Sequence, residues 1–475
     1  MRRTKIVCTI GPATSSEKMI KRLIEAGMDV ARLNFSHGSY DEHAHVIRII
    51  RQVAGPLNRP IALLQDLQGP KLRVGKMKNG SVQLQTGAHV TIVVQDCLGT
   101  ADQISTSYAD LPRDIQPGDR ILLDDGLILL RVEKVDDDRV ICRVEEGGVL
   151  SDHKGINLPN VAISQPSLTE KDRADLSFGI EQGVDWVAMS FVRKPSDITV
   201  VKDIIREHGS DIKVVAKLEK PEAINQLDEI IREADGVMVA RGDLGVELPL
   251  ETVPPLQKRI IRLARHMGKP VITATQMLES MKVHARPTRA EVSDVANAIF
   301  DGTDAVMLSA ETAVGEYPVV TVETMSRIIE AAEADDVDSK VTHYLDTSDC
   351  RSIPDAISYS ACDASDKLGA KAIVTFTTSG FTALMVARHR PATNIIACTP
   401  SELVRYQLNL SWGVIPMHMD LLASTDEIVT ATEKMLLEKK FVKRGDVVII
   451  LLGAPLYIKG TTNLMKIHVI GEAES

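Results

Sequence analysis

Eight short apolar runs, most of them about one βα unit apart, constrain this chain more than any other feature. They begin near Thr4, Asp29, Pro60, Asp185, Ile212, Gly236, Pro270 and Asp304, and one strand–helix–strand unit takes ~30 residues. Near-continuous aliphatic runs mark strands buried on both faces, as in parallel sheets. The intervals carry helix signals. Thr14-x-x-Glu17, Ser167-x-x-Glu170 and Thr288-x-x-Glu291 read as capping boxes, Pro255 as a helix start, and Gly27, Gly183, Gly268 and Gly302 as stops. The pattern predicts an α/β fold built on a (β/α)8 TIM barrel rather than an open doubly wound sheet.

Two segments break the rhythm. After Ile61–Asp66 come Val82-x-Leu84, Val90-x-Ile92-Val93-Val94, Ile121-Leu122-Leu123, Ile128-Leu129-Leu130 and Val140-Ile141-Cys142. Asn79-Gly80, Pro117-Gly118, Asp125-Gly126 and Gly147-Gly148 punctuate them, which predicts an all-β domain inserted in a βα loop at the catalytic end, a natural lid. The acidic run Glu333 to Asp338 reads as a solvated linker. Beyond it, runs near Ala372–Phe376, Asn394–Ala397, Gly413–Ile415, Asp446–Leu452 and Met465–Ile470 predict a small C-terminal α/β domain. The expected division is barrel 1–70, inserted β-barrel lid domain 71–166, barrel again 167–338, and C-terminal regulatory domain 339–475. A chain of 475 residues is too long for one core.

Composition removes some function classes. The formal net charge of −10 argues against nucleic acid as a partner. No apolar run is long enough to span a membrane, and Thr4-Lys5 and Gly11-Pro12 interrupt the segment after the basic start, so neither anchor nor leader is expected. Six cysteines without metal spacing predict reduced thiols and a cytoplasmic address.

The chemistry lies where the apolar runs end. Val214-Val215-Ala216 stops at Lys217-Leu218-Glu219, and Val237-Met238-Val239-Ala240 stops at Arg241-Gly242-Asp243. Other strand ends deliver Arg32 with Asn34, Ser36 and His37; Asp66 with Lys71 and Arg73; Thr275; and Ser309 with Glu311. In a parallel barrel all of these open on one rim. An ordinary strand-end ion pair would account for any one of them, but not for the convergence. Glu219 and Asp243 suit a hard divalent ion that keeps some water, while the arginines and lysines suit phosphate. The rim reads as a phosphoryl-transfer or enolate site.

Long ordered segments also carry a family resemblance. TKIVCTIGPAT, ARLNFSHG, QDLQGPKLRVG, KGINLP, VVAKLEKPEAI, VMVARGDLGVELP, ITATQMLESM, RPTRAEVSDVANAIFDGTDAVMLSAETA and GTTNLMKIHVI resemble the pyruvate kinase family along essentially the whole chain. The resemblance implies transfer of the phosphoryl group of phosphoenolpyruvate to ADP, giving pyruvate and ATP. It implies Mg2+ (or Mn2+) on Glu219 and Asp243, with Lys217 stabilising charge on the phosphoryl group and the enolate. Arg32 and Arg73 match phosphate-contacting arginines. Ala240, Arg241 and Gly242 match backbone at the substrate carboxylate, beside Asp243. Thr275 matches a threonine at the enolate face, with Ser309 and Glu311 behind it in a proton relay. Asn34, His37, Arg73 and Lys154 fall on the nucleotide side; a supporting hydrogen bond is an equal alternative for His37. A homotetramer is implied as well.

Two features are particular to this chain. Family members that need K+ hold it among residues matching Asn34, Ser36, Asp66 and the carbonyl of Leu67, and usually carry glutamate where this chain has Lys71. A lysine ammonium supplies the positive charge itself, so K+ independence is expected. In the C-terminal domain, Thr377, Thr378, Ser379, Gly380 and Thr382 lie between a strand and a helix, a pattern that suits an anion. The resemblance makes this an allosteric phosphate site, and Lys459 is the one cation on the facing loop. One phosphate is then better served than two, which favours a sugar monophosphate or AMP over fructose 1,6-bisphosphate. A metal-dependent aldolase barrel and an inactive ligand sensor remain the rival readings.

Overall fold

Strands form at each apolar run, and hydrogen-bonding direction decides what they build. The structure is a computed structural model describing residues 2–159, 161, 163–335, 352–456 and 460–472. Strands β1 (Lys5–Ile10), β2 (Val30–Asn34) and β3 (Ala62–Asp66) open the barrel. The chain then leaves through β4 (Ser81–Leu84), β5 (His89–Val93), β6 (Gln103–Ser105), β7 (Arg120–Leu123), β8 (Ile128–Asp136), β9 (Arg139–Glu146), β10 (Gly148–Ser151) and β11 (Ile156–Asn157). It returns as β12 (Trp186–Met189), β13 (Lys213–Leu218), β14 (Gly236–Ala240), β15 (Val271–Ala274) and β16 (Ala305–Leu308). The barrel closes in the order β1-β16-β15-β14-β13-β12-β3-β2, every pair parallel. This is the expected TIM barrel.

The excursion between β3 and β12 forms its own unit. A six-stranded sheet, β11-β7-β8-β9-β5-β6, and the β10-β4 pair enclose a separate apolar cluster around Ile92, Ile121, Leu130 and Val140. The C-terminal unit is a sheet in the order β19 (Val414–His418), β18 (Asn394–Thr399), β17 (Ala372–Phe376), β20 (Val447–Leu452), β21 (Leu464–Val469), with only β21 antiparallel. The expected domain boundary at 338/339 lies outside the described residues. No helix among the described residues is long and apolar enough to cross a membrane.

Local signals were displaced where a hydroxyl had a tertiary partner. Ser16, not Thr14, caps the helix Glu17–Ala26, because the Thr14 hydroxyl donates to the Thr312 carbonyl at 3.0 Å. Thr169 and Asp172, not Ser167 and Glu170, form the box before Glu170–Glu181, while Ser167 donates to Asp197. The Thr288–Glu291 box forms as expected. The helix expected from Pro255 starts at Val253, with prolines in its first turn. The acidic run is not wholly linker either. Glu333 lies in the helix Pro318–Asp335, and its carboxylate accepts the backbone N–H groups of Arg3 and Thr4 at 2.7–3.2 Å.

The barrel floor is closed by the C-terminal unit. Leu410 joins the inward-facing layer of Val7, Leu64, Trp186, Val215, Met238 and Ile272. Around it the Trp186 indole donates to the Gln407 carbonyl, Asn409 to the Asp29 and Pro60 carbonyls, and Lys5 to the Val414 carbonyl. Asp304 accepts from Arg390 and from the Trp412 backbone, each at 3.0 Å. A packed floor leaves the opposite rim as the open end.

Candidate active site

At the open rim, three adjacent strands put a largely buried ammonium among carboxylates. Lys217, near the end of β13, lies 2.8 Å from Glu219 Oε1, 3.3 Å from Asp66 Oδ1 and 2.6 Å from the Ser190 hydroxyl. Burial by itself would lower the Lys217 pKa, but Asp66, then Glu219 and Asp243, hold it above the ordinary lysine value. Asp66 at the end of β3 accepts Arg32 Nε at 2.7 Å, and the same guanidinium reaches the Thr9 hydroxyl at 2.9 Å. Burial pushes the Asp66 carboxyl up, but Lys217 and then Arg32 outweigh it and leave its pKa below the usual value. This ammonium stays charged.

The carboxylates are less well compensated. Glu219 is buried, and its pKa is raised by burial and by the charge of Asp243, against the pull of Lys217. Its other oxygen accepts the Phe191 backbone N–H at 2.8 Å. Asp243, in the first turn of the helix Arg241–Glu247, makes no side-chain hydrogen bond or ion pair among the described residues. Glu219 and Asp243 together bring two carboxylates against the one Lys217 ammonium, and two carboxylates are what a hydrated divalent cation uses. The donor set fits a metal.

Backbone geometry at the neighbouring strand end is unusual. Thr275 and Gln276 have φ of +70° and +53°, and a β-branched residue with positive φ is an outlier that costs about 1–3 kcal/mol. The Thr275 hydroxyl accepts the Gly242 N–H at 2.8 Å and donates to the Ala274 carbonyl at 2.6 Å. Arg241 turns away from the mouth. Its guanidinium grips Asp294 through two 2.7 Å bonds and donates to the Thr275 carbonyl, so Arg241 and Gly242 face the rim as backbone.

Two model matches decide the family: the barrel domain of pyruvate kinase over residues 1–322 and its alpha/beta domain over residues 355–468. The chain belongs to the pyruvate kinase family. That makes it a phosphotransferase. A pyruvate kinase of Mycobacterium intracellulare is 49% identical over 472 residues, 99% of each chain. One from Geobacillus stearothermophilus is 48% identical over 478 residues, covering 99% of this chain and 81% of that one. A crystal structure of a pyruvate kinase from Cryptosporidium parvum superposes with a TM-score of 0.90 at 36% identity, covering 99% and 96% of the two chains.

Within this mouth, not every expected residue converges. Arg32, Asp66, Lys217 and Glu219 do. His37 is exposed, and its pKa is lowered by partial desolvation and then by the charges of Arg73, Lys71 and Arg32, so this side of the rim is electropositive. Ser36 N–H donates to Asn34 Oδ1, and the Leu67 carbonyl accepts the Ser190 hydroxyl at 2.7 Å. Lys71 is exposed, and among the described residues no hydrogen bond or ion pair joins it to Asp66 or Leu67. Arg73 donates to the His153 carbonyl across the lid hinge. Lys154 is ion-paired with Asp124 at 2.8 Å inside the lid unit. Glu311 accepts the N–H groups of Ser309 and Leu278 and thereby ties two rim loops together. No hydrogen bond joins it to Thr275 among the described residues.

Ser190 and Phe191 went unread in the sequence. The signal was a polar residue directly after the apolar run Trp186–Met189, the same grammar that exposed Lys217. In the C-terminal unit, Thr377, Thr378, Ser379 and Thr382 line a cavity, but the Thr377 hydroxyl already accepts the Gly380 N–H and the Thr382 hydroxyl meets that of Thr462. Asp420 lines it too, and Lys459 lies outside the described residues.

Proposed function

We propose that the barrel mouth transfers the phosphoryl group of phosphoenolpyruvate to ADP, giving pyruvate and ATP. The observation that carries this reading is the largely buried Lys217 ammonium, 2.8 Å from Glu219 and 3.3 Å from Asp66, at the open rim. The bond from phosphorus to the enol oxygen breaks, a bond from phosphorus to the terminal ADP oxygen forms, and the enolate carbon takes a proton from water. Lys217 and Arg32 stabilise the negative charge on the transferring group, in a water-poor site where such charges count most. Glu219 and Asp243 would hold Mg2+ or Mn2+, which supplies Lewis-acid charge to the substrate oxygens. The Gly242 backbone lies beside Thr275, whose hydroxyl is committed to two backbone partners; Thr275 therefore positions the enolate face rather than donating the proton. A coupled assay with phosphoenolpyruvate, Mg2+ and ADP tests this. Pyruvate forms only when ADP is present; ADP-independent pyruvate with release of inorganic phosphate would favour a hydrolase, with water as the phosphoryl acceptor.

The finer assignments belong to the same proposal. Residues 71–166 serve as the lid between barrel segments 1–70 and 167–338, and 339–475 form the regulatory domain of a cytoplasmic homotetramer. Lys71 sits in the lid hinge, where its charge is felt at His37, and on lid closure it takes the place of K+ beside Asn34, Ser36, Asp66 and Leu67. Turnover is then retained in buffer free of K+ and Na+, and collapse there contradicts the assignment. The cavity beside Thr377–Thr382 takes a phosphomonoester such as a sugar monophosphate or AMP. Titrating each against the substrate saturation curve tests it, and no shift with any phosphorylated ligand refutes it.

A further inference from the structure

Behind the metal-binding carboxylates lies a buried ion pair that the reaction itself does not use. Lys220 Nζ and Glu247 Oε1 are 2.6 Å apart, and their side chains are 5% and 2% exposed. Lys220 directly follows Glu219, and Glu247 ends the short helix whose first turn carries Asp243. The same Glu247 oxygen accepts a hydrogen bond from Asn157 Nδ2 at 3.0 Å. Asn157 belongs to β11, the last strand of the lid unit before the chain returns to the barrel. The outgoing crossing is registered as closely. Gly69 has φ +67°, and a Cβ there would meet Phe191 Cδ2 at 2.6 Å and Ser190 Cβ at 3.1 Å. Phe191 presents its ring to Lys220 at 5.6 Å and its backbone N–H to Glu219.

The outgoing crossing therefore packs on Phe191, whose N–H reaches Glu219, and the returning crossing bonds Glu247, which lies on the helix that bears Asp243 and pairs with the residue after Glu219. We infer that Glu247 is a positioning residue that fixes the lid relative to the two metal-binding carboxylates, with Asn157 as its lid-side partner and Lys220 as its buried counter-ion. This rests on the phosphoryl-transfer reading above. The physical case is that Glu247 and Lys220 form a close buried ion pair, and removing either partner would strand the other, which is strongly unfavourable. A fixed charged acceptor gives the Asn157 amide one preferred seat, and a hydrogen bond to a charged group is stronger than one to a neutral group. The lid then has a defined closed register, as positioning of the reacting groups requires.

The experiment compares wild type, Asn157→Ala, Asn157→Asp and the double variant Asn157→Asp/Glu247→Gln in the intact enzyme. Asn157→Ala leaves the buried pair in place; kcat should fall about tenfold, with Mn2+ affinity, titrated directly without substrates, within twofold of wild type. Asn157→Asp sets a carboxylate against Glu247 and should lower kcat about a hundredfold. The double variant restores a donor–acceptor pair and leaves one carboxylate for Lys220, so kcat should return at least to the Asn157→Ala level. Wild-type kcat in Asn157→Ala overturns the inference, as does additive loss in the double variant. If Asn157→Asp does not fold, Asn157→Ala alone decides. Wild type failing to make pyruvate from phosphoenolpyruvate and ADP would instead overturn the functional reading itself.

Discussion

The two ends of the barrel use the same eight strands and opposite accounting of polar groups. At the floor, buried charges and amides have partners: Asp304 takes Arg390 and the Trp412 N–H, Lys5 takes the Val414 carbonyl, and Leu410 fills the interior. At the mouth, Glu219 is raised in pKa by burial and by Asp243 despite Lys217, Asp243 has no side-chain partner among the described residues, and Thr275 is held at φ +70°. These floor groups meet protein partners, whereas the Asp243 carboxylate at the mouth meets none among the described residues. In this fold, stability and chemistry divide along the strand direction.

The largest break in that symmetry should come from Lys217→Met. Removing the ammonium that serves the transferring charge should lower kcat by about 10³-fold or more, measured in the coupled assay with folding checked by circular dichroism. Wild-type turnover would place the chemistry elsewhere.

Leu410→Ala sharpens the comparison from the other side. A large-to-small change in this packed layer should cost about 2–5 kcal/mol of stability, read from urea unfolding, with kcat within a fewfold of wild type. A large loss of kcat in a folded Leu410→Ala enzyme would join the two ends functionally.

A comparable effect on stability alone concerns pH. His389 is buried near the floor, edge-on to Tyr359 at 5.8 Å, and burial, then Arg388 and Arg265, lower its pKa from 6.5 to about 4. The unfolded chain binds this proton near pH 6.5 and the folded one only near pH 4, so its contribution is present above pH 6.5 and lost as pH falls towards 4. The full effect is about 3 kcal/mol. His389→Leu should flatten that part of the stability–pH curve while leaving the pH profile of kcat in place.

Much of this contrast was legible in the sequence, and the limits are physical. Strand positions and the charged strand ends could be read because burial imposes continuous apolar runs, and a charge ending such a run stands out. The inserted β unit announced itself by its change of period. The caps at Thr14 and Ser167 misled because their hydroxyls are taken by distant partners, which no local pattern encodes. Ser190, Phe191 and Glu247 escaped notice because their importance lies in which groups they meet. The turned-in Arg241 guanidinium escaped for the same reason: its residue type suggests phosphate, and only tertiary contact reveals Asp294. The floor was illegible too, since Leu410 is an ordinary leucine until the C-terminal unit docks.

The most direct measurement of the contrast is a calorimetric titration of Mn2+ into the metal-free enzyme. One binding event per chain is expected in wild type, abolished or weakened at least tenfold in Glu219→Gln and in Asp243→Asn, and unchanged in Leu410→Ala. Undiminished Mn2+ affinity in both carboxamide variants, with the fold intact, would contradict the assignment of the open rim as the metal-bearing end.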